Sequence, residues 1–182
     1  TGSVRRMAQW LHRYPQHNIE SLRGNIQTRL QKLSCNNWHG AIFAAAGLER
    51  LGLDIPHRVE LDWMLPAPAQ GAVMVVCREK DEPVKTVCAT LNDEETALCV
   101  KIERDFLTAL MGGCPAPISA LAKMENGKIR FKGNVLSPDG KDCITCEEIF
   151  ERTAGEQIGV RAATLLKQQG ARHIIPKLQQ KG

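Results

Sequence analysis

Residues 112–117 read "GGCPAP". Paired glycines free a backbone from its usual limits, while closely spaced prolines lock φ and remove N–H donors, so neither a helix nor a strand continues through this stretch. It must be a turn, and it divides the segments on either side of it. Upstream, "NDEETALCVKIERDFLTALMGG" (92–113) places Ala97, Val100, Phe106, Leu107 and Leu110 at helical spacing, with acids crowding its N-terminus as the helix dipole prefers. Downstream, residues 118–150 alternate and contain two turn signals, Glu125-Asn126-Gly127 and Pro138-Asp139-Gly140, which predicts a three-stranded antiparallel meander. An amphipathic helix, "GEQIGVRAATLLKQQGA" (155–171), closes the unit and ends at Gly170. This half is therefore α+β. It carries one thiol, Cys114, at the turn.

The first half has a different period. "VRRMAQWLHR" (4–13) sets Val4, Met7, Ala8 and Leu11 on one helical face behind Ser3 as N-cap, and Pro15 ends it. "NIESL" (18–22) predicts a strand, Gly24-Asn25 a turn, and "IQTRLQKL" a second helix. "GAIFAAA" (40–46) has the small apolar character of a buried parallel strand; a helix around "GLERLGL" and a strand near 58–64 follow. Strand and helix alternating in this way predict a βαβ domain with a parallel sheet. A Pro-rich hinge, "LPAPAQ", then leads into an apolar strand, 71–77, and a charged turn, "REKDEP".

Charge is unevenly spread. Residues 1–50 hold seven Lys/Arg against two Asp/Glu, whereas the remaining residues hold 17 against 18. The excess is mostly arginine and lies at expected strand–helix junctions, where helix N-termini present free N–H groups, so an anion site is expected there. A nucleic-acid surface would interleave basic residues with exposed aromatics, and only 4% of the chain is aromatic. No apolar run is long enough to span a bilayer and the start lacks a signal pattern, so the seven cysteines point to a reducing, cytoplasmic setting. Cys143 and Cys146 form "CITC", but no second pair or histidine set accompanies them; they read as strand cysteines, with no metal site. "TGSVRR", without an initiator Met, reads as part of a longer protein.

Five ordered stretches carry a resemblance: "TGSVRR", "SLRGNIQTRL", "AAAGLERLGL", "LPAPAQGA" and "ERDFLTALMGGCPAPI". Together they closely resemble the porphobilinogen deaminase (hydroxymethylbilane synthase) family across essentially the whole chain. The resemblance implies a transferase that condenses four porphobilinogen units, with loss of ammonia, into a linear tetrapyrrole for heme and porphyrin biosynthesis. It also implies a dipyrromethane primer joined through a thioether to Cys114. The expected organisation is a periplasmic-binding-protein-like α/β domain (1–66), a hinge and returning strand (67–88) and an α+β domain bearing the cysteine (89–182). By the same resemblance, Arg5, Arg6, Arg23, Arg29 and Arg50 match arginines that hold cofactor and substrate carboxylates. Thr1, Ser3 and Asn25 match neighbouring hydrogen-bonding positions, and Gln70 and Gly71 match the hinge "QG" near the cofactor. Arginine suits the task, since its planar fork pairs bidentately with carboxylates.

Some positions depart from the family pattern. Gly2 stands where serine is usual, Gly40 where aspartate is frequent, and Ala69 where glycine is frequent. No residue matches the family's catalytic aspartate, which belongs to an N-terminal domain this chain does not resemble. The chain is therefore expected to be inactive alone, with Cys114 a bare thiol and strand 71–77 an exposed edge open to self-association. The competing reading is a non-catalytic, two-lobed anion-binding module. Cys114 separates the two, because a pure binding module has no need of a thiol on a glycine turn.

Overall fold

The computed structural model describes residues 1–111 and 117–175. Cys114 and its turn lie outside the described residues. Helix α1 (Val4–Arg13) starts at Ser3, whose Oγ accepts from the Arg6 N–H, and α2 (Ile26–Cys35) starts at Asn25, whose side chain accepts from the Thr28 N–H. Short α3 (Ala45–Glu49) follows, then α4 (Glu82–Ala89) and the long α5 (Glu94–Met111). Strands β1 (Ile118–Glu125), β2 (Lys128–Leu136) and β3 (Cys143–Glu151) form an antiparallel sheet in sequence order. Helix α6 (Gly155–Leu166) continues through a wide π-type turn, Lys167–Ala171, into α7 (Arg172–Ile174).

The C-terminal half folds as its pattern predicts. Glu125 pairs with Lys128, so Asn126-Gly127 is a two-residue hairpin loop, and both residues take the positive φ such a loop requires (52° and 75°). One sheet face receives Ile118, Ala120, Ile129, Phe131, Val135 and Phe150, against which α5 and α6 pack. Phe106 of α5 meets Phe131 edge-on at 5.0 Å, directly above Gly133, where a Cβ would lie 2.7 Å from the Phe106 ring. Gly159 performs the same service between α6 and α5: a side chain there would strike the backbone at Ile102. Gly170, at φ 107°, ends the regular closing helix where the sequence predicts.

The N-terminal half corrects the sequence-based expectation. Among the described residues the only sheet is β1–β2–β3; segments 18–22, 40–44, 58–64 and 71–77 run without ladder partners, so no parallel βαβ sheet is present. A strand is stable only when a neighbour takes its backbone groups, and among the described residues none of these segments has such a neighbour. Residues 45–46, expected to end a strand, instead begin α3, as alanine's helix propensity favours. Segment 71–77 leaves Val73 and Val76 87% and 80% exposed. The expected charged turn at 78–83 runs into α4, whose Asp81 cap and Pro83 in the first turn are start signals.

The two halves meet at α1 and the hinge. The β2–β3 turn presses on α1 so closely that a Cβ on Gly140 would lie 2.6 Å from both the Ala8 carbonyl oxygen and the His12 nitrogen. His12 Nδ1 donates to the Gly140 carbonyl at 2.9 Å. Pro66 O accepts from the Ala120 N–H, which lays the hinge along the free edge of β1.

Candidate functional site

Two helix N-termini lie side by side. Gly2 fits against the Leu22 carbonyl, where a Cβ would sit 2.6 Å from the oxygen, and Gly24 turns the chain at φ 121° into α2. The close approach at Gly2 accounts for glycine here: a serine would force the two segments apart. Thr1 Oγ1 accepts from the Ser3 N–H at 3.3 Å, so Thr1, Ser3 and Asn25 serve as local caps around the junction. Neither helix has an acid in its first turn.

The arginines bring positive charge to this junction without counter-charge. Burial and then the Arg29 charge lower the Arg6 guanidinium, while burial and then Arg29 and Arg6 lower the Thr1 amino group, so these groups share one field. Arg29 Nε donates to the Gly24 carbonyl at 2.8 Å and Lys32 to the Arg23 carbonyl at 3.1 Å, which places both on the same turn. Among the described residues every ion pair falls within 82–152, and none involves Arg5, Arg6, Arg23, Arg29 or Arg50.

Arg5 behaves differently from Arg6. Its Nη1 donates to the Leu65 carbonyl at 2.5 Å and its Nη2 to Gln70 Oε1 at 2.8 Å, and burial, with a smaller contribution from Arg6, pushes it down to about 10. Its fork is thus committed to the hinge. Gln70 Oε1 also accepts from the Ala67 N–H at 3.2 Å, and Gly71 follows at φ 96°. Arg50 is the C-cap of α3, its backbone N–H donating to the Ala46 carbonyl at 3.1 Å. The arginines were expected on the carboxyl edge of a parallel sheet; Arg6 and Arg29 gather at paired helix N-termini instead.

Two polar residues of this region escaped the sequence reading. Gln9 exchanges two hydrogen bonds with the Leu65 backbone, donating at 3.0 Å and accepting at 2.9 Å. Glu103 is buried on α5, where its Oε2 accepts from the Ala69 N–H at 2.6 Å and its Oε1 from the Ala122 N–H at 2.8 Å. Its signal was available: an acid inside the apolar stripe Cys99, Ile102, Phe106 and Leu110.

A model of the porphobilinogen deaminase dipyromethane cofactor binding domain matches residues 1–86, and one of the porphobilinogen deaminase C-terminal domain matches 97–168. A porphobilinogen deaminase of Listeria welshimeri is 42% identical over 186 residues, covering 100% of this chain and 60% of the relative. One from Geobacillus kaustophilus is 40% identical over 181 residues, covering 98% of this chain and 58% of its own length, and one from Staphylococcus aureus is 39% identical with the same coverage. The chain thus spans about 60% of the length of the curated relatives it matches. Two family models in tandem, and relatives aligned along its full extent, show that the chain belongs to the porphobilinogen deaminase family.

Proposed function

We propose that this chain is the cofactor- and product-holding part of a porphobilinogen deaminase, which condenses four porphobilinogen units into the linear tetrapyrrole hydroxymethylbilane. The observation that carries the reading is the set of arginines beside two helix N-termini with no carboxylate paired to them. Each pyrrole unit bears an acetate and a propionate, so the growing product is a polyanion. Arg6 and Arg29 attract those carboxylates, and a bound anion offsets the burial and, second to it, the Arg29 charge that lower Arg6. Arg23 and Arg50, on the same half, are available to later units. Arg5 and Gln70 hold the hinge against α1 and so keep the cationic face in place.

The residues fit a dipyrromethane cofactor, since its carboxylates are what an unpaired arginine cluster at helix N-termini binds. When bound, such a cofactor supplies the primer on which pyrrole units are joined, with Cys114 as its thioether anchor. A reducing cytoplasm would keep that thiol available. The domains follow as 1–66 for the anion-holding part, periplasmic-binding-protein-like once its strands have partners, 67–88 for the hinge and strand, and 89–182 for the cysteine-bearing part. The remaining family length, an N-terminal domain with the catalytic aspartate, is the partner of the whole. Without that carboxylate to stabilise developing positive charge, worth several kcal/mol of barrier, the chain binds porphobilinogen but does not turn it over.

The test is an intact mass of the chain combined with a porphobilinogen assay, with and without the N-terminal domain. A bare thiol, weak binding and no consumption by the isolated chain are expected, with consumption restored on complementation. Turnover by the chain alone would overturn the assignment of the acid to the absent domain. No binding of porphobilinogen would overturn the role of the arginines.

A further inference from the structure

Glu103 is an expensive residue to keep. It is 5% exposed, lies in the apolar stripe of α5, and no lysine or arginine pairs with it among the described residues. Among the described residues two backbone N–H groups offset its charge. Burial outweighs them and holds the carboxyl above its ordinary value, with the Ala122 and Ala69 hydrogen bonds opposing. Burying a carboxylate with no cation beside it costs several kcal/mol of desolvation. The carboxylate therefore needs another explanation.

The geometry supplies one. β1 is an edge strand, and the hinge begins to pair with it where the Ala120 N–H donates to Pro66 O at 3.2 Å. The next rung is missing, and the Glu103 carboxylate takes its place, accepting from Ala122 of β1 on one oxygen and from Ala69 of the hinge on the other. Ala69 is held at φ 61°, a left-handed conformation that a non-glycine residue adopts only when its surroundings impose it. The same hinge reaches the arginine face through Arg5, which donates to both Leu65 and Gln70. Beyond Glu103, α5 runs two further turns and leads into the segment carrying Cys114. Beside the joint lies a cleft of about 380 Å³ lined by Gln70, Gly71, Cys99, Glu103 and Met124, so the hinge has room to leave its seat.

We propose that Glu103 is a positioning residue: a carboxylate latch that seats hinge 65–71 on α5 and so sets where the arginine face stands relative to α5 and the β1 edge. The functional half of this inference rests on the reading of the arginines and Cys114 given above; the latch itself does not. In the unlatched state the Ala69 N–H loses its acceptor, its left-handed conformation is no longer imposed, and the hinge relaxes into the cleft. Arg6 and Arg29 keep their own helix-end environment in either state, because neither touches Glu103.

Two variants separate the latch from simple packing. Glu103→Leu keeps the volume and removes both acceptors; Glu103→Gln keeps one acceptor and turns a donor towards the other N–H. Backbone amide exchange is measured on the 182-residue chain. Exchange at Ala69 and Ala122 should accelerate at least tenfold in Glu103→Leu, and at one of the two in Glu103→Gln, while Ile129 and Phe131 keep their protection. Unchanged Ala69 protection in Glu103→Leu overturns the latch, as does a collapse extending to Ile129 and Phe131 in both variants. In the protein extended to the length of its relatives, both variants should lower kcat at least tenfold with KM for porphobilinogen within twofold. A rise in KM without loss of kcat, or no change in either, overturns the positioning role. If the unaltered chain binds no porphobilinogen, the reading of the arginines fails, while the exchange measurement still decides the latch.

Discussion

Gln70 Oε1 accepts from Arg5 Nη2 at 2.8 Å across 65 residues of sequence. The neighbouring arginine has no such tie, and the two should therefore respond differently to substitution. Arg5→Lys leaves one ammonium to replace a fork that reaches Leu65 and Gln70 together, and should lower stability by about 1 kcal/mol. Arg6→Gln removes a charge that Arg29 repels; it should leave the urea midpoint unchanged or raised, while porphobilinogen binding weakens about tenfold, the scale of one charge-assisted hydrogen bond. Urea denaturation and titration calorimetry on both variants check the split. Equal loss of stability in both would contradict it.

Ala69 occupies a position where the backbone asks for glycine, at φ 61°. Ala69→Gly should remove a left-handed penalty of about 1 kcal/mol, offset in part by greater freedom of the unfolded chain. A net gain of roughly 0.5 kcal/mol in urea is the expected outcome. A loss of stability would show that the methyl group contributes packing that the strain does not cancel.

Segment 71–77 presents Val73, Met74, Val75 and Val76 to solvent together. An extended apolar run without a ladder partner is a template for another chain. Sedimentation of the isolated chain should therefore depend on concentration, and Val73→Lys should abolish that dependence. A monomer at all concentrations would refute the expectation.

Cys146 lies under the helices on β3, and its thiol is pushed up to about 11, by burial first and by Glu148 to a smaller degree, against a hydrogen bond involving Gly133. The sign follows directly. The unfolded thiol ionises near pH 9 and the folded one near 11, so the stabilisation is fully present below pH 9 and is lost as pH rises through 11. The loss is on the order of 2 kcal/mol. Cys146→Ala should flatten this alkaline slope in urea midpoints measured from pH 8 to 11, although the variant starts from a lower stability.

What could be foreseen from the residues followed the range of the interactions involved. Ser3, Asn25, Asn126-Gly127 and Gly170 act on chain within a few residues of themselves, and the elements they start or stop are where they predict. Residues 18–22 and 71–77 have strand character, but a strand exists only with a partner, and among the described residues they have none. The grouping of Arg6 with Arg29 was expected for the wrong geometric reason, since it depends on Gly2 meeting Leu22 and not on a sheet edge. Glu103 was overlooked because an acid on a charged helix looks like solvent-facing surface until its neighbours Ile102 and Phe106 are seen to be fully buried.

The seat of α1 on the β2–β3 turn also imposes an order on biosynthesis. His12 reaches Gly140 across 128 residues, so α1 leaves the ribosome long before its docking surface exists. At about 5–20 residues per second the helix waits on the order of ten seconds, with its amphipathic face uncovered. Nascent chains arrested before and after residue 140 has cleared the exit tunnel should differ in protease resistance at 4–13. Until then the arginine-rich helix is an exposed basic amphipath, and the interval in which it stays uncovered is set by translation speed and not by any local folding rate.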